Sequence, residues 1–417
     1  MKISEIRPEV YDLAEKAMAR LQPVFNRIDA VAMQNTRKVM EAFQDNRVSE
    51  ACFAGTTGYG YDDLGREVLD KIYAQIFGTE AALVRLNFVN GTHALTAAMF
   101  ATVKPGDVIL SVTGTPYDTL RNAIGITGDY HGSLKFYGID YAEVALSESG
   151  EPDYAAIEKA ASDSAVAAVM IQRSRGYEDR KALSVEEIGR ICDTVRKVNP
   201  HANIMVDNCY GEFTGLTEPT QVGADIMAGS LIKNPGGGIA PTGGYIVGRK
   251  ELVERAAMRL TTPGIGGECG STLGNNRLLF QGLFLAPHTV AQALKTAAFC
   301  AAMMDELGIE SSPAFDAQRS DIIQMIKLGS AEKMKKFCLG IQSGAPVDSY
   351  VTPEPWPMPG YDCPVIMAAG AFIQGSSIEL SADGPIREPY TVYMQGGLTF
   401  ESGKLGIMMA VSAMLEE

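Results

Sequence analysis

In residues 224–248, "ADIMAGSLIKNPGGGIAPTGGYIVG", two short apolar runs enclose a lysine and a block of glycines. The first run (224–230) and the second (243–248) have the length and composition of buried strands. Between them Lys233 stands before Asn234, Pro235 and three glycines, a backbone that continues neither helix nor strand. Taken alone, a lysine is usually a solvated surface group. A lysine that must reach a fixed internal point has a use for this setting, where glycines keep bulky side chains away from its amine.

The pattern around that stretch is repeated upstream. "AALVRL" (81–86), "DVILSV" (107–112), "AVAAVMI" (165–171) and "ANIMVD" (202–207) read as strands. Helical segments alternate with them: 9–44, 66–77, the small-residue run "GTHALTAAMFATV" (91–103) and "SVEEIGRICDTVRKV" (184–198). Short strands separated by helices predict a mostly parallel sheet covered by helices, an α/β architecture. In such sheets ligands bind beyond the carboxyl ends of the strands. The polar segments "NGTH" (90–93), "TGTPYD" (113–118), "QRSRGYED" (172–179), "DNCYGEF" (207–213) and "SLIKN" (230–234) collect there.

After about residue 285 the character changes. A long helix, 287–307, precedes strand-like runs at 337–344, 364–370 and 376–382, a proline-rich loop at 351–364 and a last helix at 403–415. The expected organisation is an N-terminal helical segment (1–50), a large α/β domain (51–286) and a smaller C-terminal α+β domain (287–417).

The chain of 417 residues carries a net charge of −14, which argues against nucleic acid or an anionic membrane as partner. No run approaches a membrane span, and the amphipathic start is not a signal peptide, so a cytoplasmic location is expected. The seven cysteines are scattered without a CxxC pair, and the four histidines lack ligand spacing. Reduced thiols and no metal site are expected.

Three features carry chemistry together. "NGTHA" opens a helix, where Gly91 and Thr92 are either a plain cap or a phosphate cup built from free N–H groups. Asp207 ends a strand, as a cap for the next helix or as the partner of a protonated ring nitrogen. Lys233 lies 26 residues further on. A lysine for a Schiff base, an acid for a pyridinium nitrogen and a phosphate cup are the needs of pyridoxal 5'-phosphate.

With "QRSRGY", "VDNCYGEF", "GSLIKNPGGGIAPTGGYIVG" and "GSSIELSADGPIREPYTVYMQGGLT", the chain resembles the fold-type I pyridoxal-phosphate enzymes of cysteine and methionine metabolism. Within them it resembles the cystathionine lyase and methionine γ-lyase group, and most narrowly the aluminium-resistance, cystathionine β-lyase branch. The resemblance covers about 50–410 and implies a large domain with a mostly parallel seven-stranded sheet plus the smaller α+β domain.

It also implies roles. Lys233 is the Schiff-base lysine, Asp207 the pyridinium partner, Ser230 a phosphate ligand, and Gly91 and Thr92 the phosphate cup. Tyr117 is the aromatic residue that stacks on the ring and assists acid–base steps. The threonine usual before the lysine is replaced by Ile232. In the family a Tyr-x-Arg from a neighbouring subunit reaches the phosphate; here Tyr59 matches, Tyr61 stands in place of the arginine, and Arg66 is a substitute candidate. The resemblance thereby implies a homodimer or homotetramer with shared active sites. Arg387 is the first candidate for the substrate carboxylate, with Arg173 and Arg175 next; either of these two could bind the cofactor instead. The glycine-rich 261–272 segment looks like a mobile loop near the active site or the subunit contact.

The implied activity is carbon–sulfur elimination from a sulfur amino acid, of the cystathionine β-lyase or methionine γ-lyase type, giving a thiol, a 2-oxo acid and ammonia. Alternatives are γ-replacement, an aldolase, a racemase, or a stress or metal-resistance protein on the same fold.

Overall fold

The computed structural model describes residues 2–358 and 363–416; residues 359–362 of the expected proline-rich loop lie outside it. The helices are α1 (Pro8–Asp45), α2 (Leu64–Ile76), α3 (Gly91–Thr102), α4 (Asp118–Ile124), α5 (Tyr154–Ala161), α6 (Val185–Val198), α7 (Lys250–Leu260), α8 (Asn276–Glu306), α9 (Ala331–Ser343) and α10 (Phe400–Met414). The strands are β1 (Ala81–Arg85), β2 (Val108–Ser111), β3 (Asp140–Glu143), β4 (Val166–Gln172), β5 (Asn203–Asp207), β6 (Ile226–Ser230), β7 (Gly244–Gly248), β8 (Ser311–Ser312), β9 (Ile323–Lys327), β10 (Val365–Ala369), β11 (Ser381–Pro385) and β12 (Thr391–Gln395).

The large sheet has seven strands in the order β1-β7-β6-β5-β4-β2-β3. Strands β3, β2, β4, β5 and β6 run parallel, and β7 pairs antiparallel with both β6 and β1. Val169, Ile171, Ile204 and Val206 face one core layer with α2 and α6, while Ala168, Met170 and Met205 face the other with α3 and α7. Both faces are covered, so these strands are nearly continuously apolar, as in "VAAVMIQ". This burial is what makes them legible as short apolar runs.

The small sheet is antiparallel, in the order β10-β11-β12-β9-β8. One face, with Ala382, Val392, Met394 and Ile326, packs on α8, α9 and α10. Two sequence expectations need correction here. Residues 337–344 fall in α9, because Met334, Phe337, Cys338 and Ile341 recur at helical spacing and are all buried. The 376–382 run enters a strand only at Ser381, and β3, β8, β9 and β12 add to the expected strands.

The long helix begins at Asn276, well before 287, and carries Pro287 inside it. Its first half packs in the large-sheet core through Leu283 and Val290, and its second half in the small-sheet core through Phe299 and Met303. The 286/287 division thus falls inside a continuous helix. The N-terminal helix α1 also joins both cores, with Val39 in the first and Val10 and Leu21 in the second.

Candidate functional site

Three parallel strands end in polar residues on one edge: Gln172 on β4, Asp207 on β5 and Ser230 on β6. They line a cavity of about 310 Å³ together with Asn90, Gly91, Thr92, Tyr117, Tyr210 and Lys233. The roof is small sheet: Ser381, Asp383, Tyr393 and Gln395 also line it.

The lysine is placed by the break after β6. Leu231 still pairs with Gly243, then the chain turns, and Asn234 Nδ2 donates to the carbonyls of Tyr210 and Glu212. The glycines serve the backbone, not an open space around the amine. A Cβ on Gly236 would sit 1.7 Å from the Leu231 carbonyl oxygen, and one on Gly237 2.3 Å from that of Gly282 in α8. Gly237 has a φ of 57°. Lys233 Nζ lies 3.9 Å from the centre of the Tyr210 ring.

Burial works against the Lys233 charge, yet Cys209, Tyr210, Asp207 and Glu212 around it hold the ammonium well above the ordinary lysine value. Burial raises the Asp207 carboxyl; the charge of Lys233 and the Cys209 N–H, which donates at 3.0 Å to Oδ1, pull it back only in part. Behind them Glu212 is pushed up to about 8 by burial and accepts a 2.7 Å hydrogen bond from the Tyr245 hydroxyl.

The anion end is formed by the start of α3. Asn90 caps it, accepting from His93 N–H at 2.9 Å, and the first-turn N–H groups have no carbonyl within the helix to meet. Facing them, Ser230 Oγ is buried without a hydrogen-bond partner. A Cβ on Gly91 would come within 3.0 Å of Ser230 Cβ, so glycine keeps this cradle open. Thr92 Oγ1 meets Thr119 Oγ1 at 2.9 Å. Tyr117 is held through its N–H, which donates to Gln172 Oε1 at 2.8 Å. An orphaned buried hydroxyl, free helix N–H groups, a half-buried lysine and a buried aspartate in one cavity fit a phosphorylated pyridinium aldehyde.

Other expected residues lie elsewhere. Arg173 is turned away from the cavity: strand alternation past the end of β4 sends Gln172 and Ser174 to this side and Arg173 to the opposite one. Its buried guanidinium meets Asn208 at 2.8 Å, Thr214 at 3.2 Å and Glu218 at 3.4 Å. Arg175 and the exposed Arg387 share a neighbouring cleft of about 180 Å³, walled from the lysine cavity by Tyr117, Gln172 and Tyr177. Tyr59 is on the surface, stacked on Tyr61 at 5.7 Å between ring centres. Arg66 is buried and donates to the carbonyls of Gly60, Gly270 and Glu268. The 261–272 segment packs against this tyrosine loop, with Gly270 N–H donating to the Tyr59 carbonyl at 2.9 Å.

Sequence reasoning missed Gln172, Tyr177, Tyr210, Asp383 and Gln395. Their signal was positional: strand-end residues in the large sheet, and alternate residues of β11 and β12 in the small one. No metal-ligand cluster and no helix long and apolar enough to cross a membrane occurs among the described residues.

Comparison with known proteins identifies relatives of the chain. The family model described as methionine gamma-lyase matches residues 10–415. A carbon-sulfur lyase involved in aluminum resistance from Clostridium novyi NT has a TM-score of 0.94 at 54% identity, over 98% of this chain and 96% of its own. A Clostridium acetobutylicum protein, provisionally named cystathionine beta-lyase and involved in aluminum resistance, has a TM-score of 0.96 at 49% identity, covering 99% and 97%. The pyridoxal-5'-phosphate dependent protein YhfS from Escherichia coli shares the fold alone, with a TM-score of 0.61 at 18% identity over 90% of this chain and 94% of its own. The chain belongs to the methionine gamma-lyase family, whose members are pyridoxal-phosphate-dependent enzymes of fold type I.

Proposed function

We propose that this enzyme is a carbon–sulfur lyase that eliminates a thiol from a sulfur amino acid, with pyridoxal 5'-phosphate held on Lys233. The observation that carries the reading is one cavity lined by half-buried Lys233 and buried Asp207, beside the unpartnered Ser230 hydroxyl and the open N-terminus of α3. Family membership and the names of the two clostridial relatives support the lyase class.

In this reading Ser230 Oγ and the N–H groups of Gly91 and Thr92 would receive the phosphate, Asp207 would keep a proton on the ring nitrogen, and Tyr117 would lie against the ring. The bound cofactor supplies an electron sink for negative charge at the substrate Cα. With the cofactor bound, Lys233 Nζ would be the group placed to remove the Cα proton and return it. Tyr210 under Nζ restricts where the amine swings.

The neighbouring cleft holds Arg175 and Arg387, guanidinium groups of the kind that bind a substrate carboxylate. Tyr59, exposed on a loop fixed by Arg66, is suited to reach the site of a second copy in a homodimer or homotetramer. Whether a β- or a γ-bond breaks depends on the substrate.

Purified protein supplied with the cofactor should show the absorption band of a lysine-bound Schiff base, and Lys233→Ala should lack it. Incubation with cystathionine, cysteine or methionine should release a 2-oxo acid. A band without any 2-oxo acid from such substrates would refute the lyase reading.

A further inference from the structure

The small-sheet roof of the cavity is polar in a specific way. Along β11 and β12 alternate residues diverge: Ala382, Val392 and Met394 enter the core, while Ser381, Asp383, Tyr393 and Gln395 face the cavity. Asp383 is only 7% exposed. Gln395 Nε2 donates at 3.3 Å to Asp383 Oδ2 and at 3.3 Å to Ser381 Oγ, and Tyr177 also bonds the carboxyl. The other oxygen, Oδ1, has no hydrogen-bond donor among the described residues. Nearby Ser376, 3% exposed, also lines the cavity with an unpartnered Oγ.

A buried carboxylate oxygen without a donor is costly, on the order of 1–3 kcal/mol or more. Its missing donor has to come from outside the described residues, and a ligand in the cavity is one source. Among the described lining residues, Lys233 is the one cation, and the proposed chemistry occupies it with the cofactor. No other described lining residue brings a positive charge to Asp383.

We propose that Asp383 reads the far end of the substrate side chain, selecting amino acids that end in a hydrogen-bond donor, and a cationic one above all. Ser376 and Gln395 assist as neighbouring polar groups. The inference rests on the cofactor reading above and adds a specificity determinant to it. A methyl thioether end, as in methionine, offers Asp383 nothing to accept and leaves the carboxyl buried and unpaired.

The experiment uses holoenzyme and two ligands that lack a carbon–sulfur bond, so elimination does not interfere. L-Ornithine and L-norleucine match in length and differ in ending with an ammonium or a methyl. Each is titrated at pH 8 and the change in the cofactor absorption gives a Kd. The wild type should bind L-ornithine at least about tenfold more tightly than L-norleucine. Asp383→Asn should shrink that ratio to within about twofold while moving the L-norleucine Kd less than about twofold. Equal binding by the wild type, or an undiminished ratio in Asp383→Asn, overturns the assignment. Should Asp383→Asn fail to load the cofactor, Asp383→Ser serves as the substitution, and the wild-type ratio remains decisive alone. A missing band, or no response even to L-alanine, overturns the cofactor reading; a responding band without L-ornithine preference overturns the Asp383 role only.

Discussion

Lys233 Nζ sits 3.9 Å above the centre of the Tyr210 ring, and Tyr210 reaches that place through a left-handed backbone with φ 73°. A bulky residue in that region costs on the order of 1 kcal/mol and is kept where surrounding structure over-determines it. Here the hydrogen bond from Asn234 to the Tyr210 carbonyl ties the turn to the lysine loop. Tyr210→Phe, which keeps the ring, should retain the cofactor band and most activity. Tyr210→Ala should lower 2-oxo acid release by about fivefold or more, the scale of a desolvated cation–π contact. Steady-state rates on the two variants check this.

The phosphate cradle gives a second outcome. Ser230→Ala removes the unpartnered buried hydroxyl, so it should leave Tm unchanged or slightly raised while weakening cofactor affinity by about tenfold. Gly91→Ala would press a methyl group against Ser230 and should weaken it further. Equilibrium titration of apoenzyme with the cofactor measures both.

Arg173 separates structure from catalysis. Removing it leaves Glu218 buried with its remaining partners, Asn208 and the Phe213 N–H. Arg173→Ala should cost about 3 kcal/mol of stability, since breaking a buried pair strands the other charge. Ligand Kd values in the folded fraction should stay close to wild type. Denaturant unfolding combined with the spectral titration tests the two halves of this prediction.

Glu212 predicts a pH dependence. Its folded value of about 8 lies above the ordinary glutamate value of 4.5, so between those limits the folded protein keeps a proton that the unfolded chain releases. Stability from this group is present at low pH and lost as pH rises through that window, by up to about 1.4 kcal/mol per pH unit. Glu212→Gln should flatten the fall in stability between about pH 5 and the folded value of about 8. Urea midpoints across that range are the measurement.

The large sheet was legible because its strands are buried on both faces, and the lysine loop because Pro235 and the glycines break any regular pattern. Lys233, Asp207, Ser230, Gly91, Thr92 and Tyr117 stand out in the sequence at strand ends and a helix start, and they line one cavity. The small sheet is harder to read. Its strands are half apolar and half cavity-lining, so "SADGP" carries no apolar run at all. Arg173 misleads for a related reason: adjacent residues past a strand end diverge, and a motif read as one block gives them one destination. The role of Gly237 is hidden too, because the contact that excludes a side chain there comes from α8, far along the chain.

That contact has a mechanical consequence. The helix α8 acts as a strut between floor and roof of the cavity, anchored in one core at Leu283 and in the other at Phe299. Pro287 cannot donate to the carbonyl of Leu283, so this turn is the strut's weakest point in bending. The lysine loop rests on the same turn, with Gly237 against Gly282. Any tilt of the roof about Pro287 must therefore register at the segment that carries the reactive amine.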